Sequence, residues 1–268
     1  MAGTIFFNTL RRSWRQILYW GGGIAILGFV VMLVLNDIDV LEQYAEIAAS
    51  LPPVILQAFG AQDASSLATA EGYIAFGVFT YGAFIIAAFG VVAGVNITAS
   101  EEEAGILDVV LSLPVPRWRI IFERYAAYAV ITVGIAALTF VGLWIGSIFS
   151  ELKPDMLNTL AACLNLVPFT LLIIAITAFL GTVLRRRAAV TAVAAGVVIV
   201  SYLIDFLGNA ASGTILASLR PLSFFSYYES ESTMMSGIIW SNLLVLTVAA
   251  LALVALALWF FDRRDIGV

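Results

Sequence analysis

Six apolar runs free of charged side chains dominate this chain, at residues 17–35, 73–98, 125–149, 157–184, 188–204 and 238–261. Each is long enough to cross about 30 Å of hydrocarbon as a helix. Within lipid, a backbone can satisfy its own polar groups only as a helix or a closed barrel. A barrel needs segments of roughly ten residues with alternating polarity, and none occurs. Only 12% of the residues are charged and the mean hydropathy is +1.03, against about 25% charged in globular domains. The chain therefore reads as an all-α integral membrane protein, a single transmembrane domain over 1–268 with six transmembrane helices. The first run does not read as a cleavable leader, because Asn36 and Asp37 follow it rather than a small-residue cleavage site.

Charge sets the orientation. With both termini cytoplasmic, Arg11, Arg12, Arg15, Arg117, Arg119, Arg124, Arg185, Arg186, Arg187, Arg263 and Arg264 lie inside, and only Lys153 and Arg220 lie outside. That distribution obeys the positive-inside rule for eleven of the 13 basic residues. A missed or spurious span would scatter the basic clusters over both faces, so the agreement also supports six spans. Asp37, Asp39, Glu42, Glu46, Asp63 and Glu71 fall outside, so the net charge of -5 says little about partners, and no nucleic-acid partner is expected.

Between the second and third runs lies a different kind of helix. Ser100 followed by Glu103 has the spacing of a capping box, and Glu101, Glu102 and Glu103 sit at the positive end of the helix dipole. Ile106, Leu107, Val110, Leu111 and Leu113 then recur every three or four residues, with Asp108 and Ser112 off the stripe. Pro114 and Pro116 end it. A helix over 101–113 is roughly 20 Å long, too short to cross a bilayer, so it lies on the surface or docks against something.

Most chemistry is excluded. The chain has no His and a single cysteine, Cys163 in the fourth run, so neither an intrachain disulfide nor a His/Cys metal cluster can form. The single lysine, Lys153, follows Leu152, which rules out a Walker A loop. No G-x-S-x-G or H-E-x-x-H motif is present. The spans as drawn lack the intramembrane carboxylates common in proton-coupled carriers.

The stretch Glu101, Gly105, Ile106, Leu107, Asp108, Val109, Val110, Leu111, Ser112, Pro114 and Arg117 resembles the cytoplasmic element between the second and third spans of type 2 ATP-binding-cassette permeases. In that family an acidic residue, a Gly-Thr-Leu-Glu-like step, an apolar run and a Ser-x-Pro-x-Ser-Arg-like end recur. Ile106 here replaces the usual Thr, and Pro116 the frequent Ser. The tail Phe261, Asp262, Arg263, Arg264, Asp265 is similar to the family's ending after the sixth span. The resemblance implies a coupling helix that enters a groove on a separate ATPase subunit. Glu101, Glu102, Glu103, Gly105, Ile106, Leu107, Asp108, Leu111, Pro114, Arg117 and Arg119 would make the contact. It also implies an elbow helix over 4–16, with Phe6, Phe7, Leu10, Trp14 and Leu18 against the bilayer and Arg11, Arg12 and Arg15 facing phosphates. A basic flank that only sets topology is the plainer alternative.

Other features keep two readings. Gly72, Gly77, Gly82, Ala83, Ala87, Gly90 and Gly94 in the second run let helices approach closely, inside the subunit or at a dimer seam. Arg185 to Arg187 read as an orientation signal and headgroup anchor or as a ligand site. Tyr44, Ile47, Ala48, Leu51 and Ile55 suggest a short amphipathic helix on the outer surface, and short re-entrant or interfacial helices are expected in 205–237. The aromatic cluster Phe224, Phe225, Tyr227 and Tyr228 reads as an interface belt or as a substrate gate. Asn96, Asn165, Thr177 and Tyr202 are candidate path-lining groups, although buried polar side chains also bind helices together.

The expected function is a permease subunit of an ATP-driven exporter in the cell membrane. It would pair with a second permease subunit, identical or related, and with two copies of an ABC ATPase, with membrane lipids around it. It is not an enzyme and binds no cofactor itself, since ATP and magnesium belong to the partner. The alternatives are a non-transporting anchor or sensor module and an ATPase-independent carrier.

Overall fold

A charged side chain ends an apolar run without ending a helix, and several helices of the computed structural model outlast their runs for that reason. Residues 3–34, 38–52, 55–56, 65–103, 116–151, 153–184, 186–210 and 215–263 are described. In chain order the helices are α1 Thr4–Ser13, α2 Ile17–Val34, α3 Ile38–Ala49, α4 Ala70–Ile97 and α5 Ala99–Glu103. They are followed by α6 Arg117–Phe149, α7 Met156–Val183, α8 Arg187–Ala210, α9 Ile215–Leu219, α10 Ser230–Ser236 and α11 Trp240–Arg263. Among the described residues there is no strand. Six helices, α2, α4, α6, α7, α8 and α11, are long and apolar enough to cross a membrane.

The boundaries follow from local chemistry. Pro116, extended at φ -63° and ψ 136°, precedes α6, so the helix includes the basic turns Arg117 to Arg124 ahead of the apolar run. With 33 residues it is roughly 50 Å long and overhangs the hydrocarbon. At the start of α7, the Asp155 carboxylate accepts from Leu157 N at 2.7 Å and Asn158 N at 3.2 Å, a side-chain N-cap. Thr69 caps α4 through Gly72 N. α8 continues past Ile204 to Ala210 because Asp205 is paired, its Oδ1 lying 2.9 Å from Arg220 Nε. Both α2 and α4 contain a π-helical stretch, Ile17–Gly21 and Ala75–Thr80.

α7 forms the hub, packing against α4, α6, α8 and α11, while α2 lies along α6. Small residues make these approaches possible. Gly90 and Gly94 of α4 and Thr98 just past its end face Ile173, Thr177 and Gly181 on α7, three rungs each four residues apart along both segments, the spacing of interlocking i±4 ridges. A Cβ on Gly94 would collide with Thr177 Cβ, and one on Gly181 with Thr98 Oγ1. The small residues at 90 and 94 therefore serve packing inside the subunit. On the other flank, a Cβ on Gly142 of α6 would lie 2.5 Å from the Ala25 carbonyl of α2.

Short helices do occupy the chain between α8 and α11: α9, turns at Arg220–Leu222 and Phe225–Tyr227, and α10. The aromatic belt expected there is corrected. Phe224, Phe225 and Tyr228 are buried and converge on Phe169 of α7, with ring centroids 5.8, 5.1 and 4.7 Å away. Tyr228 also donates to Phe79 O, in the π-helical stretch of α4, at 3.3 Å. Buried Ser223 donates to Ser201 O at 2.7 Å, which ties the segment to α8. An aromatic run marks an apolar surface, and here that surface is another helix.

α3 is the helix expected on the outer side, though it ends at Ala49 rather than running on to Ile55. Leu41 and Ala48 are buried, whereas Ile47, Leu51 and Ile55 are exposed.

Candidate functional site

The end of the bundle that carries the arginines is built around two adjacent residues of α6. A helix leaves its first amides and its last carbonyls without partners. α1 begins after Gly3, which has φ +85° and no side chain with which to cap. Its amides are instead satisfied from a position 120 residues away in sequence. Glu123 Oε1 accepts from Gly3 N at 3.1 Å, and Oε2 accepts from Ile5 N at 3.1 Å and Phe6 N at 3.0 Å. One turn earlier, Arg119 Nε donates to Glu123 Oε1 at 2.6 Å, so Glu123, a residue only 8% exposed, is paired. A negative charge at a helix N-terminus complements the dipole.

Arg124 works with the opposite sign. It is 5% exposed, and its Nη1 donates to Ile97 O at 2.7 Å, one of the last carbonyls of α4. A cation belongs at that end of a helix. Immediately after Ile97 the helix breaks at Thr98, with φ -130° and ψ -72°, and α5 follows. This corrects the capping box: Ser100 lies within α5 rather than ahead of it, and the break precedes Ala99. Thr98 itself is buried against Gly181 of α7.

The predicted contact residues divide between described and undescribed positions. Glu101, Glu102 and Glu103 are in α5, with Glu103 exposed. Arg117 and Arg119 are half-buried in the first turns of α6. Gly105, Ile106, Leu107, Asp108, Leu111 and Pro114 lie outside the described residues. The amphipathic α1 is present, with Phe7, Trp14 and Leu18 exposed alongside exposed Arg11, Arg12 and Arg15.

The four candidate path residues are not brought to one place. Asn165 is buried in α7 and donates to Tyr228 O at 2.9 Å. Tyr202 of α8 packs its ring on Phe84 and Phe225, at 4.7 and 5.6 Å. These two therefore flank the return segment, the short helices and turns between α8 and α11. Thr177 is buried at the α4–α7 seam with its hydroxyl on Ile173 O. Asn96 is half-buried near the arginine end of α4. Sequence reasoning passed over Glu123 and read Arg124 only as an orientation signal; the available hint was Arg119 and Glu123 at i, i+4.

Six membrane-length helices, two of them joined by a buried arginine at an arginine-rich end, define a polytopic α-helical membrane protein. The chain belongs to the ABC-2 family transporter proteins, whose family profile matches residues 5–266. No curated protein matches it. Membership makes it a membrane permease of an ABC transporter, a transport subunit that is not itself catalytic and works with an ABC ATPase in a lipid membrane.

Proposed function

We propose that the chain is the membrane half of an exporter in the cell membrane. Two six-helix subunits, identical or related, enclose the path, and each engages a separate ATPase subunit that binds ATP and magnesium. Both termini and the connection between α4 and α6 are cytoplasmic, a reading supported by the distribution of arginine. The observation that carries the proposal is the junction at Glu123 and Arg124. There the two helices that flank residues 98–116 are tied to each other and to α1, so force applied to that connection has a stiff route into the bundle. Closure of the ATPases on ATP would move the connection and rock the spans as rigid bodies. Leu107 and Leu111 supply the packing of the coupling helix, while Glu101 to Glu103 and Arg117 supply polar contacts.

The test is to tag the C-terminus, purify from the native host in mild detergent, and assay what co-purifies for ATP hydrolysis. A stoichiometric ATPase whose turnover collapses when Leu107 and Leu111 are both replaced by Asp is the expected result. A clean preparation without a nucleotide-binding partner would overturn the proposal in favour of an anchor or a carrier.

A further inference from the structure

Glu123 and Arg124 are neighbours in one helix, so their side chains leave α6 about 100° apart. They reach two different helices. Glu123 completes the N-terminus of α1, and Arg124 completes the C-terminus of α4. Both are more than nine-tenths buried, and charge-assisted hydrogen bonds in such a setting are about twice as strong as neutral ones. The partners in α1 and α4 are backbone groups at helix termini, so these bonds fix helices rather than loose side chains. The chain leaves α4 one residue after Ile97 and re-enters α6 after Pro116. Both ends of that connection therefore lie within two turns of the pair.

We infer that Glu123 and Arg124 are positioning residues that join α1, the arginine end of α4 and the start of α6 into one body, which moves as a unit when the connection between α4 and α6 is displaced. The inference rests on the proposed function. The break at Thr98 concentrates bending at the edge of this body, where Gly181 of α7 supports it. α1, the amphipathic helix at the membrane edge, is thereby driven from α6 through its own N-terminus as well as through its continuation into α2.

The experiment uses the complete permease–ATPase complex in proteoliposomes. Cys163 is 1% exposed, so spin labels can be placed at introduced cysteines. One pair joins Phe7 of α1 to Phe122 of α6, and a second joins Phe7 to Leu244 of α11; all three sites are exposed. In the unmodified background, ATP with vanadate should shift the Phe7–Leu244 distance and leave Phe7–Phe122 unchanged. E123Q should broaden Phe7–Phe122, and E123Q and R124Q should each weaken coupling of the Phe7–Leu244 shift to hydrolysis by about tenfold, the size expected from losing a charge-assisted hydrogen bond. The bound ATPase should keep its hydrolysis rate, which a general loss of stability would not allow. E123D and R124K, which keep the charges, should restore coupling in part.

A Phe7–Phe122 distance that changes with nucleotide in the unmodified protein overturns the inference, and that measurement stands even where a variant fails to fold. Variants that bind the ATPase and couple normally overturn it too, leaving the functional reading intact. Absence of any ATPase overturns both.

Discussion

Gly94 shows how much a single missing side chain decides in this bundle. A Cβ there would meet Thr177 Cβ and lie 2.8 Å from the Ile174 carbonyl, so α4 and α7 approach backbone to backbone. Gly94→Val should destabilise the protein by about 2 kcal/mol, in the range of overpacked cores, read as a lowered unfolding temperature in detergent. Gly196 of α8 has nothing within 4 Å of its built Cβ, and Gly196→Ala should shift stability by less than about 0.5 kcal/mol. The glycine-rich pattern of α4 was legible in the sequence, but its partner was not. Glycine spacing states that something comes close, and only the fold says that it is Thr177 of the same chain. Glu123 was less legible still, because its partners are amides near residue 5, which no local pattern connects to it.

At the scale of elements, the segment from α9 to α10 between α8 and α11 is tied to two long helices. Asn165 holds it from α7, with Nδ2 on Tyr228 O and Thr233 Oγ1, and Ser201 holds it from α8 through Ser223. Asn165→Ala should cost about 1 kcal/mol, the scale of interhelical hydrogen bonds in membranes. It should also raise hydrogen exchange over 223–236, while α2 and α6 exchange as before. The six long helices were evident because apolar runs report burial in lipid directly. Their ends were not, because Arg117, Arg119, Glu123 and Arg124 break an apolar run while extending a helix. The aromatic cluster at 224–228 was found and its facing misjudged, since Phe and Tyr suit a lipid headgroup layer and a protein core alike.

For the whole molecule, the arginine distribution makes a claim about sidedness that can be checked with one reagent. Asn8 lies in α1 at the arginine end, and Leu222 lies in the return segment at the other; both are exposed. With buried Cys163 silent, a membrane-impermeant maleimide on intact cells should label Leu222→Cys and spare Asn8→Cys until the membrane is opened. The reverse pattern would place the connection after α5 on the wrong side for an ATPase.

The junction at Glu123 and Arg124 also bears on how relatives of this chain would be compared. The groups it holds in α1 and α4 are backbone amides and a backbone carbonyl. Residues 5, 6 and 97 can therefore drift in identity without disturbing it, provided proline does not remove an amide, whereas position 3 is held to glycine by its φ of +85°. A search for positions that change in concert would pair Glu123 with Arg119 of the same helix and would not point from the junction to α1 or α4. The backbone contacts that bind α6 to α1 and α4 would leave no covariation between those helices, only positions in α6 that resist change.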